Sequence, residues 1–348
     1  MSRWSQSLAG DATIRRILVV KWSAMGDVVI ATAAIEDLAR CFPAAELTLS
    51  TLPPWARLFE ADPRIARTLA LDTRGPRAMT ARLEWVRAVR SGGFDLAVDL
   101  QSSDHTAGLL AVAQACGARI RHRVGFHRRL PYDIAPAPPP PPVHAHAYAR
   151  AALAAAGVPG VATRPVLHVP AARREAVAAM RREVGLADGE YAVLFPGSQA
   201  AGHLKRWGTD RYAALARRLV AAGRVARVAL IGGPDEREAC AAIAESAGNA
   251  VVDLCGRTQL LDVVALAESA RFAVGNDTGT AHLASAAGRP MVVVCGPTDP
   301  RRVRPLGETV RTVQADLPCI NCYRKTCAHH ACMRLVTPDD VLEALDLG

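Results

Sequence analysis

Short apolar runs alternate along this chain with longer stretches in which apolar positions recur every three to four residues, the spacing of one helix face. In the first half Ile17–Lys21, Glu46–Ser50 and Leu96–Leu100 read as strands. Val28 to about Arg40, Trp55–Glu60, Ala78–Ser91 and His146–Ala156 read as helices. The second half repeats the rhythm, with strands expected at Tyr191–Phe195, Val228–Ile231, Phe272–Val274 and Met291–Cys295. Helices are expected at Asp210–Ala222, at Asp235–Ala247, and after Gly279, the last stopping at Gly288 just before Pro290. Strands alternating with helices predict an α/β protein whose mainly parallel sheets are covered on both faces. The run Pro136–Pro142 excludes helix and central strand, so it reads as an extended surface loop. A linker near Pro165–Arg173 divides the chain into domains 1–168 and 169–348, and a ligand is expected at the C-terminal strand ends, in the cleft between them.

Length supports this division, because 348 residues exceed one ordinary core and suit two domains of about 150–170 residues. At 50% hydrophobic, disorder is excluded, and no run reaches the roughly 18 apolar residues of a membrane-spanning helix. The opening MSRWSQSLAGDATIRR has no apolar centre and reads as a polar tail, so a cytoplasmic, reducing setting is expected.

The net charge is +9, with a dense patch at Arg119, Arg121, His122, Arg123, His127, Arg128 and Arg129. That patch is either an ordinary solvated surface or an attractor for an acidic membrane or a phosphorylated lipid. No zinc-finger, RNA-recognition or helix-turn-helix pattern accompanies it, so nucleic acid is not an expected partner. Of nine cysteines, four fall within fourteen residues as Cys319-x2-Cys322-x4-Cys327-x4-Cys332, with His329 and His330 among them. Such a set is a candidate structural metal site, although the spacing is not that of a paired zinc ribbon; reduced or partly paired thiols are the other reading.

The segment Gly275-Asn276-Asp277-Thr278-Gly279-Thr280-Ala281-His282 carries the most chemistry. Asp277 or Thr278 is placed to cap the following helix, the glycines admit a ligand close to the backbone, and the free first-turn amides suit a phosphate. His282 lies one turn in. Gly296-Pro297-Thr298-Asp299-Pro300 is a second such turn after the next strand. In the first half, Ser23-Ala24-Met25-Gly26-Asp27 stands where a dinucleotide fold has its three glycines, which argues against a nicotinamide enzyme. Asp27 then has two open roles, helix cap or general base.

Taken in order, the Ser-Ala-Met-Gly-Asp opening, Asp99-Leu100-Gln101, Pro196-Gly197-Ser198 with Lys205-Arg206-Trp207, Gly275–Gly279 with His282, and Gly296–Pro300 resemble glycosyltransferase family 9, the lipopolysaccharide heptosyltransferases. The resemblance runs from about Arg16 to the C-terminus. It implies a GT-B fold of two facing Rossmann-like domains, the first binding the acceptor and the second the nucleotide sugar. It also implies an inverting, metal-independent transfer from ADP-L-glycero-D-manno-heptose to a phosphorylated lipid-linked saccharide at the inner membrane, with no cofactor required. Asp27 matches the family's base, Lys205 the lysine on the donor diphosphate, and Asp277 an aspartate on the sugar. Thr278, Gly279 and His282 match the phosphate turn, and Glu236 matches the acid that holds the ribose hydroxyls. Ala24 stands where the family usually has Ser or Thr, and Ser102 where Gly often follows Asp-Leu-Gln; both departures touch the acceptor more than the donor. Two other classes stay open. One is an enzyme of this fold with a different nucleotide sugar or a protein acceptor, or a sugar-nucleotide epimerase. The other is a non-catalytic sugar-phosphate sensor, expected to lack Asp27 or Lys205.

Overall fold

The structure is a computed structural model that describes residues 4–198 and 200–346. The chain divides into two compact units, Met1–His168 and Val169–Gly348.

The first unit runs β1 (Arg16–Val20), α1 (Met25–Cys41), β2 (Glu46–Thr51), α2 (Pro53–Ala56), β3 (Ile65–Ala70), α3 (Ala78–Ser91), β4 (Leu96–Asp99), α4 (Asp104–Ala115), β5 (His122–Val124) and α5 (Ala145–Ala155). Its strands form one parallel sheet in the order β3-β2-β1-β4-β5. The central strands are apolar on both faces because helices cover both: α1 packs with α5, and α3 with α4. Trp22 and Trp85 are buried edge to face, with centroids 6.1 Å apart, and both indole N–H groups donate to Ser50 Oγ, at 2.9 and 2.8 Å. That shared acceptor anchors the end of β1, where the site loop begins.

The second unit runs α6 (Ala171–Glu183), β6 (Tyr191–Phe195), α7 (Thr209–Ala221), β7 (Arg227–Leu230), α8 (Arg237–Ala247), β8 (Val251–Asp253), α9 (Leu260–Ser269), β9 (Phe272–Asn276), α10 (Gly279–Ser285), β10 (Met291–Val294), α11 (Pro300–Val303), β11 (Val310–Val313), α12 (Ala331–Arg334) and α13 (Pro338–Asp346). Its sheet is also parallel, in the order β11-β10-β9-β6-β7-β8. Each sheet therefore has one place where the strand order reverses direction, between β1 and β4 and between β6 and β9. Loops leaving such a pair diverge and open a crevice at the strand ends.

Two expectations are corrected. α6 begins at Ala171, inside the stretch read as linker, because Pro170 starts the helix there. The helix after β9 ends at Ser285 rather than Gly288. Among the described residues no helix is long and apolar enough to cross a membrane.

Candidate functional site

The loop after β1 is organised from the neighbouring strand. Gln101, just beyond β4, accepts hydrogen bonds from the backbone N–H groups of Trp22 and Ser23 at 3.2 Å each. Asp99 is buried and takes the N–H groups of Gln101 and Ser102 and the hydroxyl of Tyr132, the last at 2.6 Å. Burial pushes the Asp99 carboxyl up, and these donors act against that rise. Lys21, buried behind the same loop, donates to the Leu100 carbonyl at 3.3 Å; burial lowers its pKa, and Asp27 and Asp99 counter the fall. Gln101 is the organiser of this region, and the sequence alone signalled it only as part of a motif.

Asp27 is not the cap of α1. It is the third residue of the helix, half-buried, and its Oδ2 accepts the Ala24 N–H at 3.3 Å. Ala24 occupies the cap position and has no side-chain oxygen to return the bond. The carboxylate is thus tied by one long contact and keeps most of its lone pairs for another partner.

In the second unit the predicted residues converge at the β6/β9 reversal. Asp277, 4% exposed, receives Lys205 Nζ at 2.6 Å and Thr298 Oγ1 at 2.8 Å, both on Oδ2. His282 Nε2 stands 4.0 Å from the other oxygen. Neither Asp277 nor Thr278 caps α10 through its side chain: the Asp277 carboxylate is turned to Lys205 and Thr298 instead. Thr278 is at the cap position, with a buried Oγ1 that has no partner among the described residues. Asn276, fully buried, was passed over in sequence. Its Oδ1 accepts from Trp207 N and the Tyr212 hydroxyl, and its Nδ2 donates to the carbonyls of Pro196 and Gly197. One amide therefore holds the β6 loop, the Lys205–Trp207 segment and the end of β9 in register.

Glu236 lies over the same loops. Its Oε2 accepts the Gly233 N–H at 2.7 Å. A Cβ at Gly197 would fall 1.6 Å from its Oε1, and one at Gly232 would fall 2.7 Å from Oε2. A side chain at either position would therefore displace the carboxylate from where it crosses the ends of β6 and β7.

Three of the seven residues of the basic patch are ion-paired. Arg121 pairs with Asp95 at 3.2 Å, Arg123 with Asp133 at 2.7 Å, and Arg129 with Asp104 at 2.6 Å. The free electrostatic pull of this segment is correspondingly smaller than its composition suggests.

All nine cysteines are free thiols. Cys319, Cys322, Cys327 and Cys332 line a common cavity with His329 and His330. Elsewhere Cys240, Asp253 and Cys255 come within 4.8 Å of one another. Burial raises both of those thiols, and Cys255 donates to the Gly233 carbonyl at 3.0 Å, so the pair packs as protonated core groups.

Two parallel-sheet α/β domains, each with polar residues at its strand-order reversal, are the architecture of the GT-B fold. Residues 82–332 match the model of glycosyltransferase family 9 (heptosyltransferase), and the chain belongs to that family. It is 26% identical to lipopolysaccharide heptosyltransferase 2 of Salmonella typhimurium, across 95% of this chain and 97% of that one. A shorter match, 30% identical, covers 53% of this chain and 55% of lipooligosaccharide heptosyltransferase 2 of Haemophilus influenzae. Among solved structures, ADP-heptose lipopolysaccharide heptosyltransferase II of E. coli superposes with a TM-score of 0.73 at 23% identity, covering 95% of this chain and 98% of that one. E. coli heptosyltransferase WaaC with ADP-2-deoxy-2-fluoro heptose gives a TM-score of 0.71 at 21% identity, covering 95% and 99%.

Proposed function

We propose that this chain transfers heptose from ADP-L-glycero-D-manno-heptose to a phosphorylated, lipid-linked saccharide of the lipopolysaccharide inner core, with inversion and without a catalytic metal. The observation that carries the reading is the Lys205–Asp277–Thr298 cluster at the β6/β9 reversal of a family 9 chain. Departure of ADP develops negative charge on the β-phosphate. An ammonium group has three donors, and Lys205 gives one to Asp277, leaving the others for the diphosphate. Thr278 Oγ1, the amides at Gly279 and Thr280, and His282 supply further donors. Asp277 keeps Oδ1 for a hydroxyl of the sugar, and Glu236 holds the ribose hydroxyls.

In the first unit, residues 1–168, Asp27 takes the proton of the acceptor hydroxyl as that oxygen attacks the anomeric carbon. The second unit, residues 169–348, holds the donor. The setting is the cytoplasmic face of the inner membrane, touched peripherally. Presence of both Asp27 and Lys205 favours an enzyme over a sensor.

The test is mass spectrometry of acceptors after incubation with a panel of ADP- and UDP-sugars and with truncated lipopolysaccharide or protein acceptors. A heptose added to the truncated lipopolysaccharide from the ADP donor is the expected product. Transfer of another sugar, or transfer to protein, would replace this reading with a different enzyme of the same fold.

A further inference from the structure

The segment between β11 and α12 has no core of its own. From Ala315 to His330 it forms neither helix nor strand, and of the segment through Arg334 only Met333 is buried. Three of the four non-glycine residues with positive φ among the described residues fall here: Asn321 (59°), Tyr323 (53°) and His330 (46°). Left-handed backbone at such residues costs free energy and persists where the surroundings over-determine it. Its apolar anchors lie at its ends, where Ala315 and Cys332–Met333 pack on the core of the second unit, and the stretch between them needs some other constraint to hold it.

The segment folds back on the two loops of the candidate donor site. Tyr323 N donates to the Pro297 carbonyl at 2.8 Å, and the Tyr323 hydroxyl accepts from Asp299 N at 3.2 Å. Gln314 Nε2 links the carbonyls of Gly296 and Thr298 to Asn321 Oδ1. On the other side, His330 Nε2 lies 2.6 Å from the carbonyl of Leu204, the neighbour of Lys205. At the centre is a cavity of about 20 Å³, enough for one small body, ringed by Cys319, Cys322, Cys327 and Cys332 together with Leu204 and Pro297.

We propose that these four cysteines hold one soft divalent cation as a tetrathiolate, and that the ion cross-links the Cys segment to the loops carrying Lys205 and Thr298. Four sulfurs are the ligand set that selects zinc or iron in tetrahedral geometry. Four thiolates on a divalent ion leave two negative charges, and the surroundings are cationic: Arg324 lines the cavity, Lys325 follows it, and Arg334 donates to the His329 carbonyl. The His330 N–H donates to Cys327 Sγ at 3.3 Å, the kind of bond that orients a ligand from outside the metal sphere. No three of these sulfurs lie within 4.8 Å of one another, so binding would draw the ring inward to the roughly 3.8 Å sulfur spacing that metal–sulfur bonds of about 2.3 Å impose. The binding energy would add to the hydrogen bonds that hold the segment to these loops. This inference goes beyond the proposed transfer and does not depend on it.

Two measurements on the full chain test it. Metal-stripped protein titrated with Co²⁺ should take up one ion per chain and show thiolate-to-cobalt charge transfer with tetrahedral visible bands. These should be lost in Cys322→Ser and Cys327→Ser and kept in Cys116→Ser, whose thiol lies outside the ring. Hydrogen exchange on the wild type, stripped against Zn²⁺-loaded, should slow by at least about tenfold at 200–208 and 296–300. Absent thiolate bands, bands that survive both ring variants, or identical exchange with and without zinc would overturn the proposal.

Discussion

The two strand-order reversals are built alike and finished differently. At β1/β4 the loop is held by a neutral group, the Gln101 amide on two backbone N–H groups, and Asp27 is left with one long backbone contact. At β6/β9 the aspartate is buried and saturated on one oxygen by an ammonium and a hydroxyl. The contrast separates what a carboxylate can do. A loosely tied group can change partner during a reaction and accept a proton. A saturated one fixes the groups around it, here the Lys205 ammonium and the Thr298 hydroxyl.

The sharpest break in that comparison is Asp27→Asn. Asparagine still offers an oxygen to the Ala24 N–H, so stability and donor binding should stay near wild type. Turnover should fall by at least about two orders of magnitude, because the amide cannot take a proton. The loss should appear in kcat more than in donor KM. Near-normal turnover would show that the spare lone pairs of Asp27 have no catalytic use.

Next in size is Asn276→Ala, which leaves four hydrogen-bonding partners without their amide. A loss of about 2–4 kcal/mol is expected in denaturant unfolding, given the desolvation cost of the orphaned groups. A loss below about 1 kcal/mol would mean that this residue does not hold the loops in register. Lys205→Ala should cost less stability, about 1–2 kcal/mol, since the ammonium is partly exposed. It should also remove most of the rise in melting temperature that ADP produces by mass action. Equal ADP shifts in mutant and wild type would take Lys205 out of the donor site.

The smallest effect lies away from both reversals. Burial, then Arg150 and His144, lower the His146 pKa to about 4. Since the folded value is below the unfolded one, the unfolded chain binds more protons between about pH 4 and 6.5. Stability is therefore full above that window and is lost as pH falls through it. His146→Asn should flatten this part of the stability–pH curve, and an unchanged slope would assign it to other groups.

Much of the fold was legible because its signals are local. The strands read from sequence are the inner ones of each sheet, such as Leu18–Val20, Tyr191–Phe195 and Met291–Val294, buried on both sides and hence continuous in apolar residues. The strands not foreseen are β3, β5, β8 and β11, the four sheet edges. Their residues, for example Ile65–Ala70 with two exposed positions in succession, lack that signal because one side of an edge strand has no neighbour.

The site divides in the same way. Turn-forming strings such as Gly275–Gly279 and Gly296–Pro300 declare themselves in sequence, since glycine and proline dictate backbone geometry within a few residues. Which side chains pair across those turns did not. Lys205 and Asp277 lie 72 positions apart, Gln101 and Trp22 lie 79 apart, and His330 and Leu204 lie 126 apart. Only the parallel strand order, set by where two sheets bury their apolar faces, brings these residues within hydrogen-bond reach. Nor did the sequence place the start of α1, where Ala24 holds the cap position and Asp27 is the third residue of the helix.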